Sequence, residues 1–180
     1  MKKKIVLDAG HGLPDPGAVG YGKEYDYTLK IINEIAKYLP STVIPIFTRE
    51  TERGLNLNKT KDLQARCDLS NKYSADLFVS IHLNAFNKMA NGYETLVYSS
   101  TRQDQLLHSE ISKTLKKHGL TNRGIKIRKD LYVLRETNAK AVLLECLFID
   151  NRKDMEKLNT QSFFQEFCQS IAKGIMAALK

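Results

Sequence analysis

Apolar residues along the 180-residue chain switch repeatedly between two spacings. Lys4–Asp8 reads as a short buried strand and runs into Ala9-Gly10-His11-Gly12. The next stretch holds Pro14, Pro16, Gly17, Gly20 and Gly22, too many breakers for regular structure. From Glu24 to Leu39 the residues Leu29, Ile32, Ile35, Ala36 and Leu39 recur at helical spacing, and Pro40 stops the helix. Val43–Thr48 has strand character, Leu63–Lys72 is helical, and Leu77–Ile81 is the continuous apolar run of a central strand. After Asn91-Gly92, Tyr93–Tyr98 predicts a strand and Leu106–Leu115 a helix, with further strands expected at Leu131–Leu134 and Ala141–Leu144. Phe163, Phe167, Ile171, Ile175 and Leu179 draw the stripe of a terminal helix, and Ser162-Phe163-Phe164-Gln165 has capping-box spacing at its start.

Strands and helices alternating in this way predict an α/β fold. The expectation is a single domain with a twisted, mostly parallel or mixed sheet and helices on both faces. Length agrees, because 180 residues are enough for one well-buried core and short for two. A hydrophobic share of 42% and a charged share of 27% are ordinary for a globular chain. No apolar run approaches the roughly 20 residues that span a bilayer, so membrane insertion is not expected. Lys2-Lys3-Lys4 followed by Ile5-Val6-Leu7 resembles a signal peptide only briefly, since Asp8 ends the apolar stretch. Cys67, Cys146 and Cys168 are odd in number and form no CxxC pair, which predicts reduced, buried thiols.

Charge adds one feature. The net charge is +8, and Lys113, Lys116, Lys117, Arg123, Lys126, Arg128 and Lys129 form a basic run with no acid inside it. Such a run attracts polyanions, either nucleic acid or an anionic cell wall. It contains no aromatic residue to stack on a base, so nucleic acid is a poor fit.

The residues able to do chemistry fall at one kind of position. Ligands of open α/β sheets bind beyond the carboxyl ends of the strands. His11 lies three residues past the first predicted strand, His82 directly follows Leu77–Ile81, and Glu145 directly follows Ala141–Leu144. Glu24 opens the first helix after the glycine-rich loop. Two neutral imidazoles and one carboxylate are a common catalytic zinc set with one position left for water. An unliganded carboxylate nearby would then shuttle protons. Asp8 reads either as an orienting partner of His11 or as a turn former, and His108 and His118 read as surface residues.

At these residues the sequence resembles a known family. Val6-Leu7-Asp8-Ala9-Gly10-His11-Gly12, followed by Asp15-Pro16-Gly17-Ala18, is similar to the opening of the zinc-dependent N-acetylmuramoyl-L-alanine amidases of the amidase-3 family. Gly22-Lys23-Glu24, the segment Asp76–Ala85 around His82, Arg123-Gly124-Ile125-Lys126, Tyr132–Thr137 and Ala141–Glu145 follow in family order. The resemblance implies one zinc ion per chain held by His11, Glu24 and His82. It also implies a catalytic Glu145 that activates the attacking water and protonates the departing amine. Asn84 would contact substrate. The substrate would be peptidoglycan, cut at the amide between N-acetylmuramic acid and L-alanine. Cys146-Leu147 departs from the small or glycine-containing pair that often follows the family's catalytic glutamate.

The whole chain, residues 1–180, would then be an amidase catalytic domain without a wall-binding module. With no signal peptide, an endolysin or mother-cell autolysin is expected, made in the cytoplasm and acting on the wall after release. The basic run Lys113–Lys129 would stand in for the missing module by attraction to anionic wall polymers. Two other readings use the same residues: a zinc peptidase cutting within the stem peptide, and a non-catalytic binding module on an amidase scaffold.

Overall fold

A computed structural model describes residues 2–180. Six strands form one sheet: β1 (Lys3–Ala9), β2 (Val43–Phe47), β3 (Leu77–Asn84), β4 (Tyr93–Val97), β5 (Asn122–Ile127) and β6 (Lys140–Phe148). Their spatial order is β2-β1-β3-β6-β4-β5, with every neighbouring pair parallel except β4 and β6. The carboxyl ends of β1, β3 and β6 therefore emerge on one edge, beside the amino ends of β4 and β5.

Alternation along the central strands sends side chains into two layers. On one face Ile5, Leu7, Val79, Ile81, Val142 and Leu144 pack under α1 (Glu24–Lys37), α3 (Arg102–Lys117) and α6 (Gln161–Ala178). On the other, Val6, Phe78, Leu96 and Leu143 pack under α2 (Lys59–Tyr73) and α4 (Tyr132–Glu136). The short α5 (Arg152–Leu158) links β6 to α6. The apolar stripe of α6 is buried as expected, since Phe163, Phe167, Ile171 and Ile175 all lie in the core. All three cysteines are free and buried.

Several local expectations are corrected. Leu131–Leu134 is no strand: Leu131 caps α4, and Val133 and Leu134 are buried by one helical turn. β5 and α5 had no predicted counterpart. The Ser162–Gln165 capping box is not used, because α6 starts after Thr160 without a side-chain cap. A capping box forms instead at α3, between Thr101 and Asp104. His108 is buried, not a surface residue: Nδ1 bonds Thr95 Oγ1 and Nε2 bonds Asn122 Oδ1, each at 2.9 Å. His118 is half-buried and bonded to Glu166.

One polar cluster sits inside the α2 side of the sheet. Asp8 accepts hydrogen bonds from Thr48 (2.8 Å), Ser80 (2.6 Å) and Arg66 Nη1 (2.6 Å). Arg66 is 1% exposed and also donates to Asp62 and to the carbonyls of Ala9 and His11. Arg49 donates to the carbonyls of Ala9, Gly10 and Tyr25. Two buried guanidiniums thus fix successive carbonyls of the turn that carries His11. Asp8 is consequently neither a turn former nor a partner of the His11 ring. Burial raises its pKa, but Arg66 and the two hydroxyls outweigh that and hold it below the ordinary value.

Removing one partner of a buried pair strands the other charge, at about 3–5 kcal/mol. Arg66→Ala should lose about that much in urea unfolding at pH 7, and a loss under about 1 kcal/mol would contradict this account. A depressed folded pKa gives stability that is complete above the unfolded value of about 3.9 and lost as pH falls through the folded one. The gap between wild type and variant should therefore narrow in acid.

Candidate metal centre and active site

His11, Glu24 and His82 come together at the shared strand edge. One ligand atom from each lies within 4.8 Å of the others. His11 follows β1 in a left-handed conformation (φ 61), unusual for a side chain with a Cβ and typical of strained functional turns. The two imidazoles meet edge to face with ring centroids 4.8 Å apart. Between them lies the carboxylate of Glu24, with Oε2 3.2 Å from His11 Nε2 and Oε1 2.9 Å from His82 Nδ1. Each carboxylate oxygen also accepts a backbone N–H, from Ala18 at 2.7 Å and from Leu83 at 3.0 Å. Burial works against the Glu24 charge, but the histidine hydrogen bonds prevail and hold its pKa well below the carboxylate range.

The backbone has been kept thin around this cluster. A Cβ on Gly10 would strike the His82 ring and the Ile81 carbonyl. One on Gly17, which already has φ +65, would come within 2.5 Å of Glu24 Oε2. Asp15 completes the shell. Its Oδ2 lies 3.0 Å from His11 Nδ1, which turns Nε2 toward Glu24, and its Oδ1 accepts from Gly17 N–H. Carboxylates in this position set the tautomer and orientation of metal-binding histidines. Sequence reading considered Asp8 for that role and overlooked Asp15, although it sits four residues past His11 in a turn-forming segment.

Glu145 stands on β6 directly opposite His82 in the parallel register. Burial pushes its pKa up to about 7, with Glu24 and Glu94 adding to the rise and His82 opposing it. Among the described residues its Oε2 is buried without a hydrogen-bond partner. Just beyond it the ladder slips: two steps on β3, His82 to Asn84, match three on β6, Glu145 to Phe148. Leu147 takes up the slack in the left-handed region (φ 76) while remaining fully buried. Bulges of this kind re-aim strand side chains next to active sites.

Asn84 lies at the end of β3, but its amide nitrogen donates to Glu94 Oε1 at 3.0 Å and its Oδ1 accepts from Ala85 N–H. Glu94 is the antiparallel neighbour of Glu145 and is neutralised by Arg123 and Lys126. Neither the carboxylate nor its two cations was singled out from sequence for this pairing. Three more cations of the basic run find acids: Lys113 pairs with Glu110, Lys117 with Glu166 and Arg128 with Asp130. A cleft of about 220 Å³ opens beside the two histidines, with Pro14, Leu57, Leu63 and Tyr132 among its walls.

The donor set fits a metal ion. Two imidazoles and one carboxylate, with ligand atoms within 4.8 Å of one another, form a three-ligand set of catalytic type. No helix among the described residues is long and apolar enough to cross a membrane.

Comparison with known proteins agrees with this geometry. The family model described as N-acetylmuramoyl-L-alanine amidase matches residues 5–177. The endolysin of Bacillus phage SPP1 is 40% identical, over 99% of this chain and 67% of its own length. An uncharacterized cell wall amidase of Bacillus anthracis is 35% identical, over 97% of this chain and 35% of its own length. The chain thus spans about two thirds of one relative and about a third of the other. Among solved structures, the catalytic domain of the amidase CwlV from Bacillus (Paenibacillus) polymyxa var. colistinus superposes with a TM-score of 0.83. It is 31% identical, over 97% of this chain and 96% of that one. With its fold, its converging histidines and glutamate, and a match along nearly its whole length, the chain belongs to the N-acetylmuramoyl-L-alanine amidases, hydrolases of peptidoglycan.

Proposed function

We propose that His11, Glu24 and His82 hold one zinc ion and that Glu145 moves the protons when the amide between N-acetylmuramic acid and L-alanine is hydrolysed. The observation that carries this reading is the pairing of a three-residue donor set with an unpartnered carboxylate oxygen on the neighbouring strand. A zinc ion in such a set supplies Lewis-acid polarisation of the scissile carbonyl and lowers the pKa of a water to about 7.

The chain's own residues supply the rest. Asp15 holds the His11 ring, and the backbone N–H groups of Ala18 and Leu83 hold Glu24, so the three donors need little rearrangement to bind. Glu145 takes a proton from the attacking water and returns it to the departing L-alanine amine. Its Oε2, buried without a hydrogen-bond partner among the described residues, is free to accept and return that proton. Asn84 reaches substrate only by sharing or exchanging its bond to Glu94. We read the chain as one catalytic unit of a wall-lytic enzyme. The likeness to the SPP1 endolysin supports action on the cell wall.

Glu145→Gln should retain about one zinc per chain and lose activity on purified peptidoglycan by roughly a hundredfold or more. His82→Ala should lose the metal itself. Near-normal turnover in Glu145→Gln would remove that residue from the mechanism. Fragment analysis must show a newly freed L-alanine amino terminus; cleavage inside the stem would make the enzyme a peptidase instead.

The Lys113–Lys129 run adds a weaker, electrostatic element. Five of its seven cations are ion-paired, but exposed pairs contribute little and the chain keeps a net charge of +8. We propose that this surface draws the enzyme to anionic wall polymers. Activity on whole walls should fall markedly as ionic strength rises above about 0.1 M, and a flat salt profile would dismiss the attraction.

A further inference from the structure

Two loops run outward from the candidate site and carry side chains that the chemistry above does not use. One begins at Ala18, whose N–H is bonded to Glu24. The other begins directly after Asn84, at the end of β3. Both are tied to the segment that follows β6. Tyr21 N–H donates to the Ile149 carbonyl at 2.9 Å, while Phe86 and Lys88 N–H both donate to Asp150 Oδ2, at 3.1 and 2.9 Å. Asn151 Nδ2 reaches the Lys88 carbonyl at 3.1 Å, and Asn87 Oδ1 accepts from Met89 and Ala90 N–H. At Gly20 even a Cβ has no room against the Ile149 carbonyl.

These bonds anchor both loops at several points. The loops hold four large apolar side chains in solvent: Phe86 is 80% exposed, Met89 78%, Val19 65% and Tyr21 57%. Single exposed apolar residues are ordinary, but a group of them on ordered loops is the mark of a contact surface. None of the four lines the cleft beside the histidines. Along the chain both loops adjoin the site, since Val19 follows the residue that bonds Glu24 and Phe86 lies two positions past Asn84.

We infer that Val19, Tyr21, Phe86 and Met89 form a platform for the glycan strand from which the scissile amide hangs. This rests on the amidase reading. A stem peptide carries carboxylates and an amine, whereas these four side chains carry no charge and, the Tyr21 hydroxyl apart, no polar group to meet them. The sugar rings of the strand present C–H faces, and their N-acetyl groups present methyls, which suit two aromatic rings and two aliphatic neighbours. Anchored loops spend little ordering entropy when they bind, so four modest contacts add up.

The test compares wild type with Phe86→Ser/Met89→Ser, checked for an unchanged melting temperature and zinc content. Retention on glycan strands stripped of stem peptides should fall about tenfold or more in the variant. Hydrolysis of polymeric peptidoglycan should fall with it, while turnover of a single-sugar muramoyl dipeptide should stay within about twofold. Stripped strands should inhibit wild type on the polymer, and free stem peptides should not relieve or mimic that effect. Equal retention of strands by the two proteins would overturn the platform. So would parallel losses on both substrates, or a wild-type dimer that the substitutions dissociate. Retention is read without turnover. A wild type that bound strands but cleaved neither substrate would therefore sink the amidase reading and leave the platform standing.

Discussion

The carboxylate of Glu24 is the constraint on which the site depends. Four donors converge on it: the rings of His11 and His82 and the backbone N–H groups of Ala18 and Leu83. These belong to the loop after β1 and to β3, while Glu24 itself opens α1, so one side chain ties three segments to a single point. A buried charge is tolerated only where such donors surround it. The same arrangement that makes its burial possible presents two ring nitrogens and a carboxylate oxygen to one another.

A second polar cluster holds the first in place. Arg66 and Arg49 bind the carbonyls of Ala9, Gly10 and His11, and Asp8 balances Arg66 beneath them. That support lets His11 remain at a positive φ, a conformation costing roughly 1–3 kcal/mol that needs a determining environment. Leu147 stores strain of the same kind beyond Glu145, and its complete burial offsets some of the cost. Both strained residues flank the chemistry, one at the end of β1 and one beside the β6 carboxylate.

How much of this was legible in the sequence follows from range. His11, His82 and Glu145 could be placed by a local rule, because each sits just past an apolar strand and parallel strands share an edge. Glu24 could not, since nothing in its helix says that the carboxylate turns inward; the family resemblance supplied it. Arg49, Arg66 and Glu94 were missed because a buried charge is recognised only from its partners, and Asp8 to Arg66 spans 58 positions. Leu131–Leu134 misled because four consecutive apolar residues have no period of their own, and one helical turn buries them as well as a strand would. β5 was overlooked since, as an edge strand, it has only Ile125 and Ile127 as large apolar residues, set among Arg123 and Lys126. His108 looked like a surface residue because its helix is polar, yet its ring fills a hydrogen-bonded slot between Thr95 and Asn122.

The central claim is that His11, Glu24 and His82 form one metal site. Anomalous diffraction from crystals grown with zinc, measured on both sides of the zinc absorption edge, tests it most directly. The account predicts one strong peak bonded to both imidazoles and to Glu24 at about 2.0–2.2 Å, with Asp15 still on His11. A peak elsewhere, or a zinc ion that leaves Glu24 unbound between the two rings, would contradict it.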